Sequence, residues 1–449
     1  MKLRTHNSRL KIAFVAPFGL QPKGTVSARM MPLAHALAAR GHMVRVVIPP
    51  WDDPSARNFK RTRIETTSTP SGGLLEVVTL PLPGRLPNSL VLTYGLVRWT
   101  VNPPGKGTHF RAEVVHVFKP VGYSGLAALV LQALGVPWVL DMDDWEGPGG
   151  WADTNPYSLP QKVAVTLLEA SLPRVASAVT AASRTLEARA WGFGLPPEQV
   201  LYLPNGVSKE KYASWASTHA ATPPTLTSSA GLLYATQQAL RDDPVILLYT
   251  RFAEFPYAWP LRVLEKVLID HPTAKLLVVG TGFFQEEEKL RQEAARTGLG
   301  GHVIITGRLP EADLPLYLAL ADVALYPMRD NLINRAKSPM KVLEQMLMGL
   351  PIVAHNVGQV PQFLGDTGIL VEPGDLKGMA EATSMLLSKP ELRRELGQRA
   401  QASVWAEFNW EKLSEVAERS YAKTLESEVE TQVKNQLSLR KRLFLRNQI

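Results

Sequence analysis

The sequence contains no cysteine among its 449 residues. That excludes a disulfide framework, a cysteine nucleophile and any thiolate metal site, and it fits a reducing, cytoplasmic setting. Long apolar runs are almost as scarce. The one uncharged stretch of membrane-spanning length is 120–140, PVGYSGLAALVLQALGVPWVL. Gly135-Val136-Pro137 interrupts it, so it reads as a helix over about 123–134 followed by a strand-like run over 137–142, the grammar of a buried αβ unit. The N-terminus MKLRTHNSRLK is basic, but the apolar run after it is short and has no small-residue cleavage site, so no secretory signal is expected. HExxH, P-loop, G-x-S-x-G and strand-bound G-x-G-x-x-G patterns are also missing. Gly280-Thr281-Gly282 lacks both the third glycine and an acidic residue timed for a nicotinamide ribose.

What is present suits a large globular protein. The chain is 45% hydrophobic and 20% charged, enough to bury a substantial core and unlike a disordered, collagenous or coiled-coil chain. Its net charge of +8 is unevenly placed. Lys2, Arg4, Arg9 and Lys11 lie in residues 1–11, and Lys434, Arg440, Lys441, Arg442 and Arg446 lie in 432–449, with no acid in either segment. Those nine cations exceed the whole excess, so the body between them is close to neutral. The basic ends, the last mixing Leu and Phe with cations, suit contact with an anionic membrane surface.

From residue 11 onward, β-branched runs alternate with amphipathic helix-length segments. KIAFVAP, MVRVVIP, LEVVTLPL, EVVHVF, PWVLDM, SAVTAAS and VLYLP form one series, with helices such as 27–41 and 159–175 between them. Near-continuous apolar strands separated by helices imply a parallel sheet covered on both faces. The pattern fades over 208–243, rich in Ala, Ser, Thr and Pro, which reads as a linker with an insertion. A second series follows: PVILLYT, AKLLVVG, HVIITG, DVALYP, PIVAHN and TGILVEP. The expected organisation is α/β throughout. An N-terminal Rossmann-like, acceptor-side domain spans 1–207, a linker 208–243, a C-terminal Rossmann-like donor-nucleotide domain 244–408, and a terminal helix with a basic tail 409–449. Doubly wound sheets bind ligands at the carboxyl ends of their strands, so the site is expected in the cleft between the two domains.

The second series carries an ordered set of short signals: VVGTGFF (278–284), HVIITGRL (302–309), LYLALADVALYP (316–327), SPMKVLEQMLMGLPIVAHNVGQVPQFL (338–364) and GILVEPGD (368–375). Together they resemble the donor-nucleotide domain of the retaining glycosyltransferases of the GT-B fold, specifically family 4 (glycosyl transferases group 1). The N-terminal half matches more loosely, through PKGTVSARMMPLAHALAARGHMVRVV, VVHVF and VLYLPNGV. The resemblance spans about 11–425, and 302–375 is its specific part.

The resemblance implies a hexosyltransferase-type enzyme that moves a sugar from a nucleotide-diphosphate sugar with retention at the anomeric carbon. Two phosphates call for backbone N–H groups at a helix N-terminus together with cationic side chains, and a ribose diol calls for a carboxylate. Glu344, in LEQM, takes the family's ribose-binding position. The glutamate usually found eight residues upstream is replaced by Ala336, so the E-x7-E pair is incomplete. R-A-K-S-P-M-K instead resembles a K-x3-K branch, which assigns Lys341, with Lys337, to the diphosphate. Lys337, Lys341 and Glu344 share one face if a helix begins near Ser338, with Pro339 in its first turn; an ordinary surface Lys–Glu pairing is the alternative. Arg251, in YTRFAEFPY, matches the family's phosphate-clamping arginine, but the lysine expected beside it is absent. An ion pair of Arg251 with Glu254 is the competing reading. Gly280 and Gly307 are the glycine turns on the donor side.

In the first half, Lys23-Gly24-Thr25 follows the first strand, where a glycine lets backbone approach the diphosphate or sugar. Asp141-Met142-Asp143-Asp144 ends the strand PWVL. Asp143 and Asp144 are candidates for bonding the acceptor or donor sugar, with a solvated loop cluster and divalent-metal binding through Asp141 and Asp143 left open. Lys119 and His116 are candidate acceptor-side residues, although a packed strand histidine is an open reading of His116. Leaving-group charge stabilisation by Arg251, Lys341 and the glycine loop would carry catalysis without an obligatory metal or other cofactor. The expected partners are a nucleotide-sugar donor and a glycan, lipid-linked or small-molecule acceptor, with no nucleic acid. Arg57, Lys60, Arg61, Arg63, Arg85, Arg98, Lys106 and Arg111, with the apolar LVLTYGLVRW (90–99), suit a lipid-linked or anionic acceptor. A non-catalytic nucleotide-sugar binder and a nucleotide-sugar epimerase of the same architecture are the rival functions.

Overall fold

In the computed structural model, the structure describes residues 9–20, 24–50, 62–81, 88–101, 110–209, 212–213, 230–240 and 242–446. Lys2, Arg4, Lys23, Arg57, Lys60, Arg61, Arg85 and Lys106 lie outside the described residues, as do the side chains of Lys434, Arg440, Lys441, Arg442 and Arg446. The chain divides into two compact units, one of 1–205 with 410–449 and the other of 206–409.

The first unit is built on an eight-stranded sheet of β1 (Lys11–Val15), β2 (Met43–Ile48), β3 (Arg63–Ser68), β4 (Leu74–Thr79), β5 (Val114–Phe118), β6 (Trp138–Met142), β7 (Ala178–Ala181) and β8 (Val200–Tyr202). Its order is β3-β4-β2-β1-β5-β6-β7-β8, parallel except for the β3–β4 pair. β3 was not expected. Its sequence RIETTS is exposed along its whole length, so it carries none of the apolar patterning that marked its neighbours. The uncharged stretch 120–140 becomes the helix Gly122–Ala133 and strand β6, as its Gly-Val-Pro break implied, and no described helix is long and apolar enough to cross a membrane.

The second unit holds a six-stranded, all-parallel sheet of β9 (Val245–Tyr249), β10 (Lys275–Val279), β11 (Val303–Gly307), β12 (Val323–Tyr326), β13 (Ile352–His355) and β14 (Ile369–Val371), ordered β11-β10-β9-β12-β13-β14. Part of the stretch read as linker is ordered: Ala230–Leu240 is a helix that buries Leu240 and Thr236. Val207 and Asn409 form a parallel bridge that ties the two ends of this unit together. In both sheets the strand order reverses once, beside β1 and β5 in the first and β9 and β12 in the second, and ligand sites of doubly wound sheets form at such reversals.

The long terminal helix Trp410–Arg446 belongs to the first unit, where it packs on the helix Met31–Ala39 and on β5 to β8. Trp410, Leu413, Ala417 and Tyr421 join the core of Ile12, Phe14, Val139 and Ala178. Burying each large apolar side chain contributes roughly 1.5–3 kcal/mol, so this helix is a structural part of the sheet's cover.

Beneath that helix runs a polar network sealed from solvent. Arg29 is 1% exposed and donates to both Asp141 oxygens, through Nε at 2.8 Å and Nη2 at 2.6 Å, and to the Leu203 carbonyl and Asn205 Oδ1. Thr180 donates to Asp141 at 2.6 Å and lies 3.1 Å from His116 Nε2, whose other ring nitrogen meets the Tyr421 hydroxyl at 2.8 Å. Removing one member of a buried ion pair leaves its partner charged without compensation. Asp141→Ala should therefore cost about 3–5 kcal/mol of stability, read from urea unfolding midpoints, whereas joint replacement of Arg29 and Asp141 by apolar residues should cost less.

Candidate functional site

In the first unit the candidate residues gather where β1, β5 and β6 end. Thr25 follows β1 and donates to Asp143 Oδ2 at 2.7 Å, and Gly24 opens the turn before it, donating to Ser27. Lys119 follows β5 with φ 62°, a left-handed conformation that costs a non-glycine residue energy and is kept only when its surroundings enforce it. Ser124 bonds its carbonyl and its own N–H donates to Asp141 O, which hold the turn. The Lys119 ammonium is thereby aimed at three carboxylates: Asp143 at 3.3 Å, Glu146 at 2.8 Å, and Asp144 in close contact.

Burial alone would neutralise this lysine, but the three acids hold its pKa well above the usual ammonium value. The acids respond in the opposite sense. Burial first, and then the neighbouring Asp144 charge, push Asp143 up to about 6 and Glu146 up to about 7, against the opposing pull of Lys119. One lysine cannot satisfy every carboxylate around it, so Asp143 and Glu146 hold protons near neutrality.

One expectation is corrected here, and one alternative left open by the sequence changes its residues. Asp141 does not join this group; within β6 it pairs with Arg29, and the acids that lie together, beyond the strand end, are Asp143, Asp144 and Glu146. A divalent cation entering among them would have to displace the Lys119 ammonium. His116, placed on the acceptor side from its sequence position, is 0% exposed among Phe14, Phe118 and Tyr421. Burial lowers its pKa to about 4, so it is a neutral packed histidine and has no surface to offer an acceptor.

In the second unit the candidates follow β9 and β10. Thr250 Oγ1 accepts from the Phe252 N–H at 2.7 Å, and Phe252 has φ 58°, so a tight, strained turn presents the exposed Arg251. Gly280 has φ +119°, and a Cβ there would lie 2.0 Å from the Thr250 carbonyl oxygen, so only glycine fits between the two strand ends. Its N–H donates to Gly307 O at 2.9 Å.

The lysine pair is arranged differently from the single helical face expected. Leu332–Ala336 is one short helix and Met340–Leu347 another, with Lys337 extended between them. Pro339 disfavours helix at the residue before it and stands as the N-cap of the second helix, which breaks the predicted run. The two lysines nevertheless converge on Glu254. Lys337 Nζ is 3.0 Å from its carboxylate, and although burial opposes ionisation, Lys337 and Lys341 bring Glu254 below its ordinary pKa.

Asn334 and the Arg329 N–H hold the Glu254 carbonyl at 2.9 and 2.8 Å, locking this turn to the loop after β12. Lys341 lies 5.2 Å from the Tyr249 ring centroid. Burial, with Arg251 and Lys337 nearby, lowers its pKa to about 8 against the pull of Glu254 and Glu344. Glu344 is 2% exposed and accepts from the Tyr212 hydroxyl at 2.8 Å. Burial, then Glu344, raises the pKa of both Tyr212 and Tyr249.

The family described as "Glycosyl transferase 4-like domain" matches residues 24–206, and that described as "Glycosyl transferases group 1" matches 243–389. The chain carries two glycosyltransferase-family domains. Over 94% of its length and 100% of the relative's, it is 23% identical to a phosphatidyl-myo-inositol mannosyltransferase of Mycobacterium leprae. Shorter matches join it to an N-acetyl-alpha-D-glucosaminyl L-malate synthase of Bacillus anthracis (31% over 34% of this chain) and to a GDP-mannose-dependent alpha-(1-6)-phosphatidylinositol monomannoside mannosyltransferase of Mycolicibacterium smegmatis (28% over 53%). The chain spans 39% and 59% of the lengths of those two relatives.

Among solved structures, the sucrose-phosphate synthase of Thermosynechococcus elongatus superposes with a TM-score of 0.62 at 20% identity, covering 96% of this chain and 100% of that one. HepE of Anabaena, in complex with UDP and glucose, gives 0.61 at 19% identity over 96% and 100%. The chain therefore has the GT-B fold.

Sequence reading had missed Glu146 and had weighed Glu254 only as a partner for Arg251. A signal existed for each: Glu146 is the next acid in D-M-D-D-W-E, and Glu254 is the sole acid in YTRFAEFPY. Tyr212 gave none, because its contact with Glu344 bridges 132 residues.

The raised carboxyls in the first unit carry a pH consequence. A folded-state pKa above the unfolded one means the native state keeps protons that the unfolded chain has released. That stabilisation is full below about pH 4 and is lost as pH climbs through about 7. Glu146→Gln removes the titrating group, so its melting temperature should gain on the wild type steadily from pH 5 to pH 8. A constant difference across that range would count against the proton-sharing cluster.

Proposed function

We infer that this glycosyltransferase moves a sugar from a nucleotide-diphosphate sugar to an acceptor with retention at the anomeric carbon. The observation that carries the reading is the convergence of Lys337 and Lys341 on Glu254 at the end of β9, one turn from Arg251. The Glu254 carboxylate positions two ammonium groups that would otherwise repel each other. A diphosphate entering there meets three cations, and charge developing on the leaving group is stabilised without an enzyme nucleophile or an obligatory metal. Glu344 is the ribose acceptor in this reading, with the diol sharing or displacing the Tyr212 hydroxyl. The Gly280–Gly307 turns let the nucleotide approach backbone.

On the acceptor side, Asp143, Asp144 and Glu146 around Lys119 offer carboxyl groups suited to hydrogen-bonding sugar hydroxyls, and Asp143 and Glu146, with pKa values raised to about 6 and 7, are suited to exchanging the proton released on transfer. Thr25 links this group to the turn after β1, and Gly24 opens that turn. The mannosyltransferase relatives name phosphatidylinositol acceptors, which supports a lipid-linked acceptor for this chain and a peripheral position on the cytoplasmic leaflet.

Thermal-shift titration with UDP-, GDP- and ADP-sugars should give stabilisation by one nucleotide class, since a ligand that binds only the native state raises its melting temperature by mass action. Lys341→Ala should lower transfer by a factor of about 10² or more while leaving the unliganded melting temperature nearly unchanged. Full transfer activity in that variant would refute the assignment. Because the ammonium titrates near pH 8 in the free protein, affinity for the nucleoside diphosphate should weaken as pH rises from 7 to 9. Lys341→Met should bind weakly at pH 7 and lose that slope.

A further inference from the structure

Three helices of the first unit, Asn88–Val101, Gly122–Ala133 and Leu159–Val175, pack side by side in that order. Their inner residues, such as Leu96, Leu131 and Leu172, are fully buried, as cover for a sheet requires. Their outer sides break the usual pattern, in which solvent meets polar residues. Leu159, Val163 and Leu167 recur every four residues along the third helix and are 75%, 49% and 62% exposed. Leu90 and Tyr94, also four apart, are 67% and 60% exposed on the first. The middle helix adds Leu129 and Val130. Of the 17 exposed large apolar side chains among the described residues, nine lie on these helices or on the cap residue Leu134, which makes this a patch and not the ordinary scatter of a protein surface.

The charges on these helices are of one outward sign. The only acid on the three is Glu169, which is 1% exposed and bonded to Arg189 and to the N–H groups of Glu146 and Gly147. The outward ionised groups are all cations. Arg98 donates to the Tyr94 hydroxyl at 2.7 Å, Lys162 lies 3.6 Å from Asp153 on the neighbouring short helix, and Arg174 bonds the Phe193 carbonyl at 2.9 Å. A second copy of this chain would set these cations against one another across a two-fold axis. An anionic surface meets them without repulsion, and its apolar interior accepts the leucine stripe.

We propose that the outer face of these three helices is a docking surface for an anionic lipid bilayer, lying in the headgroup region with Leu159, Val163 and Leu167 inserted and Tyr94–Arg98 at the interface. This placement is independent of the basic ends of the chain. It does not depend on the identity of the sugar donor.

The test is flotation of the full chain with vesicles of phosphatidylcholine alone or with phosphatidylglycerol, at physiological salt. The wild type should bind the anionic vesicles, and Val163→Asp with Leu167→Asp should weaken binding at least tenfold. Leu90→Asp with Tyr94→Asp repeats the test on a separate helix should the first pair fail to fold. Replacing Arg440, Lys441 and Arg442 by glutamine should leave that tenfold difference intact. Nucleotide-induced thermal shift of each variant should match the wild type, which separates failure of docking from failure of the donor site. Wild-type binding that is absent, or unchanged in both aspartate pairs, overturns the proposal. So does an aspartate pair that turns a dimer into a monomer while vesicle binding stays the same.

Discussion

The buried ion pair between Arg29 and Asp141 is the constraint on which the first unit rests. A carboxylate with no exposed surface survives at the end of a parallel strand only because a guanidinium, itself 1% exposed, meets both of its oxygens. That pairing fixes the helix after β1 against β6, and through Leu203 and Asn205 it also fixes the segment that leaves the unit. Thr180, His116 and Tyr421 extend the network to the terminal helix. Asp141 is the penultimate residue of β6, whereas Asp143 lies just beyond the strand end, where it meets Thr25 and Lys119.

The two units use opposite charge logic. Around Lys119 one cation faces three acids, so the lysine is held charged, while burial pushes Asp143 and Glu146 toward their neutral forms. Around Glu254 one acid faces Lys337 and Lys341, so the acid is held ionised, while burial, against the pull of Glu254, eases Lys341 toward neutrality. Each minority charge acts as the positioning centre for the majority. A strained turn residue, Lys119 in one and Phe252 in the other, stands at each strand end where the sheet order reverses.

Much of this was legible without coordinates. Runs such as KIAFV and VILLY carry so dense an apolar signal that only a buried parallel strand accommodates them, and the glycine turns at Gly280 and Gly307 follow from backbone sterics. The edge strand Arg63–Ser68 was invisible because an exposed edge needs no apolar code. The lysine helix was misread because one proline, Pro339, outweighed a favourable four-and-three spacing. His116 was ambiguous, since a strand histidine has the same local pattern whether it faces a ligand or a tyrosine.

The local order of elements, the neutral body between cationic ends, and the residue types at each strand end were written in the chain, because they depend on neighbours a few positions apart. Which acids meet which cations was decided by the fold. Arg29 and Asp141 are 112 residues apart, Tyr212 and Glu344 132, and Glu254 and Lys337 83. Pairings at that range, and the pKa values they set, come from how helices pack on a sheet, since burial and partner distance govern a charge more strongly than the residue beside it.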